Sequence, residues 1–318
     1  MTRNNQPRSI AFMIFKKRLS SEMRTFWYCR TAFEYAERWW NEENRKEEFA
    51  YTTKYPGDDN QLYRSVDIPP QDYISQKDDR LWSVRGNTIT NIVTAFETYL
   101  YYQTKRAIYI KPSLLAGSGI EMTAGEVADS FYVKDQKEWF ADKVVSKYIR
   151  NNSHSKMIKK IDKLIQGGLT SGQEQLISRW TRKVTLRNAL IHNAKLVNNE
   201  LVEEWPNKFE RVGVPIEMQD DDVIRTQYVA HELAMKIDEQ FNRTVVDKED
   251  AMLLARVAYL SNRELTLGQI VDCVSKVLNY RFSKDLAESA IAYQNRTREH
   301  ISDFTIMEEI VQEFFASS

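Results

Sequence analysis

Arg187, Asn188 and His192 are the residues in this chain whose types and spacing best suit chemistry. They sit at the end of the stretch QEQLISRWTRKVTLRNALIHN, residues 173–193. An imidazole exchanges a proton near neutral pH, and so can act as general base or acid. A guanidinium grips a phosphate at two points and stabilises charge that develops on it. An Asn can orient the His or a phosphate oxygen. RNA supplies its own nucleophile in the 2′-hydroxyl, so this set suffices in principle to cleave it without a metal. A second pair, Arg225 and His231, has similar spacing but lacks an Asn after the Arg and the basic residues that surround the first. Such residues also have commoner roles, a terminal His as a surface or capping group and an Arg beside an apolar face as an ion-pair partner.

The stretch reads as one helix. Ile177, Trp180, Val184 and Ile191 fall within an arc of about 60° on a helical wheel, which predicts a buried face. Thr170-Ser171 is expected to cap its start. Asn188 and His192 are four residues apart and share an edge. Arg187 and His192 point about 140° apart on an ideal helix. They meet at one phosphate only if the helix end distorts or a second chain supplies one of them. Arg179, Arg182 and Lys183 precede the motif, and Lys156, Lys159, Lys160 and Lys163 precede those. This basic block suits phosphate contacts, and Arg179, Arg182 and Lys183 are the candidate substrate-binding residues.

The run Arg187 to His192 resembles the signature of the HEPN superfamily, an Arg, then four to six residues, then a His, often with a polar residue after the Arg. Asn188 fills that place. The order of an upstream helix reading AFETYL, a helix ending in IHNAKLVNNEL, a VGVPIEM excursion and one more long helix extends the resemblance over roughly Leu81 to Asn242. It implies a central four-helix-type bundle and an RNA endonuclease that leaves 2′,3′-cyclic phosphate and 5′-hydroxyl ends. Arg187, Asn188 and His192 would be catalytic, and Glu97 of AFETYL a candidate for orienting Arg187. It further implies a homodimer with a composite active site, a toxin or anti-phage effector role, and an antitoxin or other regulatory partner. Ala194 stands where some antitoxin-paired members carry a Tyr. The alternative reading is a HEPN-like adaptor that dimerises or binds nucleic acid without cleaving it.

The rest of the chain bounds these readings. Its 318 residues carry 45 basic and 45 acidic side chains, so a globally basic nucleic-acid binder is excluded. Ten Gly and seven Pro leave long uninterrupted stretches that favour an all-α fold. Cys29 and Cys273 lie far apart, fitting a reducing, cytoplasmic compartment. With four His and no metal-type spacing, neither a metal nor another cofactor is expected. No run reaches the ~20 apolar residues of a membrane helix.

Residues 1–80 read as a helical arm, from about Ser21 to Glu48, and an irregular linker with Pro56-Gly57 and Pro69-Pro70. By that resemblance residues 81–244 read as the HEPN-like domain. Within it Leu81–Ile110 is a long helix, Thr123–Arg150 is helical in one or two pieces, and Met157–Ile165 is a short basic helix. A β-hairpin or extended excursion comes after the motif helix, and Asp220-Asp221-Asp222 opens the next helix, where negative charge suits the dipole. Residues 245–318 read as a module of three or four short helices. Tyr99, Tyr101, Tyr102 and Tyr109 are candidates for base stacking or, at this spacing, for core.

Overall fold

In a computed structural model the protein is described over residues 6–42 and 75–317, apart from 117, 134, 151, 166–167, 169, 246–247 and 302–303. Of the irregular linker expected from Ala50 to Asp79, residues 50–74 lie outside the described residues, as do the side chains of Trp39 and Trp40, and its end, from Lys77, is already helical. The described chain is almost entirely helical. In order come α1 (Ile10–Glu42), α2 (Lys77–Ile110), a 3-10 turn (Pro112–Leu115), α3 (Ala124–Ser130), α4 (Gln136–Tyr148), α5 (His154–Ile165) and α6 (Glu174–His192). The remaining helices are α7 (Asn199–Glu204), α8 (Asp220–Thr244), α9 (Lys248–Ser261), α10 (Leu267–Leu278), α11 (Lys284–Thr297) and α12 (Phe304–Ala316). Among the described residues β-structure is limited to one antiparallel bridge, Leu196 to Pro215. No described helix is long and apolar enough to cross a membrane.

The chain forms two compact units whose membership ignores sequence order. One takes Met1–Arg18, Val93–Val184 and Tyr228–Ser318; the other takes Leu19–Ile92 and Thr185–Gln227. The division falls inside α1, α2, α6 and α8.

In the first unit the four C-terminal helices share a core of small and branched residues, Leu254, Ala258, Ile270, Val274, Ala287 and Met307 among them. Ile10 and Ile14 of α1 belong to the same core. The start of α1 combines a local cap, Ser9 Oγ accepting from the Phe12 amide at 3.1 Å, with carboxylates from distant helices. The Ser9 amide donates to Asp238 Oδ1 at 3.3 Å, and the Ile10 amide donates to Asp250 Oδ2 at 2.9 Å. Both carboxyl groups sit at the positive end of the helix dipole. Asp250 is balanced by Arg106 at 2.5 Å. Asp238 is held less tightly, with Arg8 at 3.9 Å, and burial pushes its carboxyl up to about 7. The Ser9 cap and these remote carboxylates together place the start of α1 at Ile10 and not near Ser21.

The second unit carries the end of α6 and the excursion beyond it. Instead of a plain hairpin, the excursion is a closed loop with a helical turn at its tip. Its base pairs through Val197 N to Val214 O at 2.8 Å, Gly213 N to Val197 O at 2.8 Å and Ile216 N to Lys195 O at 3.0 Å. The turn is α7, capped by Asn198, whose side chain accepts from the Leu201 amide at 2.9 Å. The three aspartates stand in the first turn of α8 as expected. Asp222 accepts from the Gln219 amide at 2.9 Å, a carboxylate satisfying an otherwise orphaned N-terminal donor.

Candidate active site

Trp180, fully buried, anchors the middle of α6 in the first unit. Its ring packs on Phe96 at a centroid distance of 4.4 Å, and its indole N–H donates to His154 Nδ1 at 3.2 Å. The helix start is set differently from the local reading. Thr170 turns away from α6 and donates from both its amide and its hydroxyl to Asp162 Oδ2, at 3.1 and 2.5 Å. From there α6 runs as a regular α-helix through His192, and the Asn193 amide still donates to the Ala189 carbonyl at 3.1 Å. Ala194 and Lys195 then stop it, at φ 49° and 67°. Left-handed backbone at a non-Gly residue is disfavoured by roughly 1–2 kcal/mol. The Asn193 side chain donating to Leu196 O at 2.8 Å and the pairing of Lys195 with Ile216 stabilise the turn.

The chain after the motif is fastened to α2. Trp82 Nε1–H donates to Ile216 O at 2.7 Å. Arg85 donates to Asp220 Oδ1 at 2.7 Å and to Met218 O at 3.3 Å. Asp220 also receives Arg30 of α1 at 2.5 Å. Gly86 lets this packing close up. A Cβ there would stand 3.3 Å from Met218 Cε, a tight approach to a flexible side-chain end, and at an ordinary packing distance of 3.9 Å from Leu190 Cδ1 in the last turns of α6. Beside it opens a cleft of about 780 Å³ whose lining includes Trp82, Ser83, Arg85 and Lys195. The Lys195 ammonium lies 4.7 Å from the Trp82 ring centroid.

Arg187 and Asn188 are half-buried in this unit, and His192 is exposed. The unbroken helix keeps Asn188 and His192 one turn apart on one edge. It also keeps Arg187 about 140° round from His192. The helix end therefore does not bring the two together within one chain. Ile191, expected on the buried face, is 49 % exposed, next to His192.

The supporting residues divide. Arg179 is exposed and Arg182 half-buried, both in the first unit. Lys183 departs from the phosphate-contact expectation, because at 4 % exposure its ammonium is enclosed by protein. The Glu97 carboxylate lies 3.7 Å from Nε2 of the buried His154. The sequence carried no signal for that buried His154–Trp180 pair, since its partners are 26 residues apart and share no motif. Tyr99 is core, its hydroxyl donating to Ala234 O at 3.0 Å. Tyr101 is tied to Asp142 at 3.0 Å. Of the second Arg–His pair, Arg225 makes an exposed ion pair with Asp221 at 2.5 Å, while His231 lies against Phe12 at 5.7 Å in the first unit. Compared with known proteins, the chain matches no family model, no curated protein and no solved structure.

Proposed function

We propose that this chain is a metal-independent RNA endonuclease with Arg187, Asn188 and His192 at its active site. The observation that carries the proposal is the presentation of His192, exposed in the last turn of a regular helix with Asn188 directly beneath it. His192 takes the proton of a 2′-hydroxyl as that oxygen bonds to phosphorus, and the P–O5′ bond breaks. A proton returned to the 5′ oxygen completes the step, giving a cyclic phosphate and a 5′-hydroxyl. Arg187 stabilises the charge on the phosphate oxygens. Because Arg187 and His192 diverge on one helix, the cleft is completed by a second copy across a twofold axis. Exposed Ile191 supplies apolar surface for that contact. The cleft walled by Trp82 and Lys195 accommodates a nucleotide flanking the cleaved bond, its phosphate attracted by the Lys195 ammonium. A toxin or anti-phage role, in a cell compartment that keeps Cys29 and Cys273 reduced, is the biological setting proposed for this activity.

The test is incubation of the purified chain with total RNA in EDTA, with His192→Ala alongside. Cleavage by the parent alone, leaving cyclic phosphate ends, is the expected result. Activity that EDTA abolishes and Mg²⁺ restores would overturn the metal-independent mechanism. RNA binding without cleavage would turn the reading to a nucleic-acid-binding adaptor.

A further inference from the structure

A second cleft, of about 480 Å³, opens within the first unit among α1, α8, α10 and α12. Its floor is aliphatic, made by Met13, Met235, Val277 and Ile310. Unbranched thioethers adapt to apolar groups of varied shape. Its rim carries the cations Arg8 and Lys16 at α1 and Lys276 on α10, with the His231 imidazole of α8 among them. The one carboxylate among the described lining residues, Glu313, is already held by Lys17 at 2.9 Å. Lys276 is paired along its own helix with Asp272, in an exposed contact that is worth little.

The positive charge at this rim is under-compensated. Arg8 comes no closer than 3.9 Å to Asp238, and its Nη1 is buried with no hydrogen-bond partner among the described residues. Asp238, pushed up to about 7, is only a partial counter-charge near neutrality. The same imbalance shows at His231, whose proton affinity is pushed down by burial and then by Lys16 and Arg8.

We infer that this cleft binds a small amphiphilic anion, a phosphate monoester whose headgroup sits among Arg8, Lys16 and His231 and whose aliphatic body lies on the Met13, Met235, Val277 and Ile310 floor. A doubly charged phosphate offers oxygens to several donors at once. The body is aliphatic and not a stacked ring for a geometric reason. Phe12 and Phe314 each already carry a cation, Arg8 at 5.2 Å and Lys276 at 5.8 Å from the ring centroids. This site is independent of the proposed nuclease centre.

Isothermal titration of the full chain with decyl phosphate, inorganic phosphate and a short single-stranded oligonucleotide tests the inference. Decyl phosphate should bind at least roughly tenfold more tightly than inorganic phosphate, since burying two methylenes suffices for that ratio. Lys16→Ala and His231→Gln should each weaken decyl phosphate roughly threefold to tenfold. The His231 imidazole, followed by NMR, should titrate at higher pH when the ligand is bound. Sedimentation with vesicles containing phosphatidic acid separates the two sources of such a headgroup: capture assigns it to a lipid, and its absence assigns it to a free amphiphile. Equal affinity for inorganic phosphate, tighter binding of the oligonucleotide, or parent-like affinity in both folded variants would overturn the inference.

Discussion

The indole N–H of Trp82 donates to the Ile216 carbonyl at 2.7 Å, joining the second turn of α2 to the base of the loop beyond the motif helix. The bond leaves the ring face to Lys195. Trp82→Phe keeps most of the apolar surface but orphans a partly buried carbonyl, which typically costs about 1–3 kcal/mol. Urea denaturation should show that loss, and hydrogen exchange should show faster opening at Val197 and Ile216. An unchanged midpoint with unchanged exchange would mean that the loop is held elsewhere.

Arg187→Ala and His192→Ala should both remove RNA cleavage while leaving the circular dichroism spectrum intact. A proton-transfer group is typically worth about 10²–10⁴-fold, and an electrostatic contact to the phosphate about 10²–10³-fold. Arg187→Lys should restore only part of the rate, because Lys lacks the planar two-point grip. Arg225→Ala, which removes an exposed ion pair with Asp221, should cleave like the parent. Cleavage rates for the four variants on one RNA decide the assignment; full activity in His192→Ala would sink it.

A composite cleft has a further signature. Mixing inactive Arg187→Ala with inactive His192→Ala should recover cleavage, since a mixed dimer holds one intact Arg187 and one intact His192 across its axis. Light scattering should report a dimer at the same concentrations. A monomer whose rate is linear in protein, or a mixture as dead as its parts, would count against a shared cleft.

Asp238 makes stability depend on pH in an unusual direction. Burial raises its carboxyl from 3.8 to about 7, against the opposing pull of Ser9 and Arg8. Below pH ~4 both folded and unfolded chains hold the proton. Between ~4 and ~7 the unfolded chain releases it while the folded chain keeps it, so this group's contribution to stability falls as pH rises. The loss across the window is on the order of a few kcal/mol. Asp238→Asn retains an acceptor for the Ser9 amide but cannot titrate. Its urea midpoint should therefore fall less than the parent's between pH 4 and pH 7, and parallel profiles would contradict the assignment.

Much of the helical order was legible in the residues themselves. The motif helix, α2 and the four C-terminal helices arise from apolar period and from the rarity of Gly and Pro. The divergence of Arg187 and His192 also comes from the helical period, because α6 stays regular. Asn198-Asn199-Glu200 held a usable cap signal for α7 that the Val- and Pro-rich surroundings masked. The illegible part depends on distant partners. Thr170 looks like a cap for α6 until Asp162 claims it. Lys183 reads as a surface cation until the fold encloses it, and no signal near Glu97 announces the His154 imidazole that lies beside it. The two interleaved units leave no mark in composition, since their boundaries fall inside helices.

The carboxylate caps of α1 set a timetable for synthesis. Ser9 and Ile10 are separated from Asp238 and Asp250 by 229 and 240 residues. At ordinary elongation rates of ~5–20 residues per second, roughly 10–50 s pass between translation of the two partners. Throughout that interval the apolar run Ile10–Phe15 is without its α8 and α9 anchors and without most of the core it joins. A nascent chain stalled before Asp238 would present that run to chaperones or to other chains, and release past Asp250 would withdraw it.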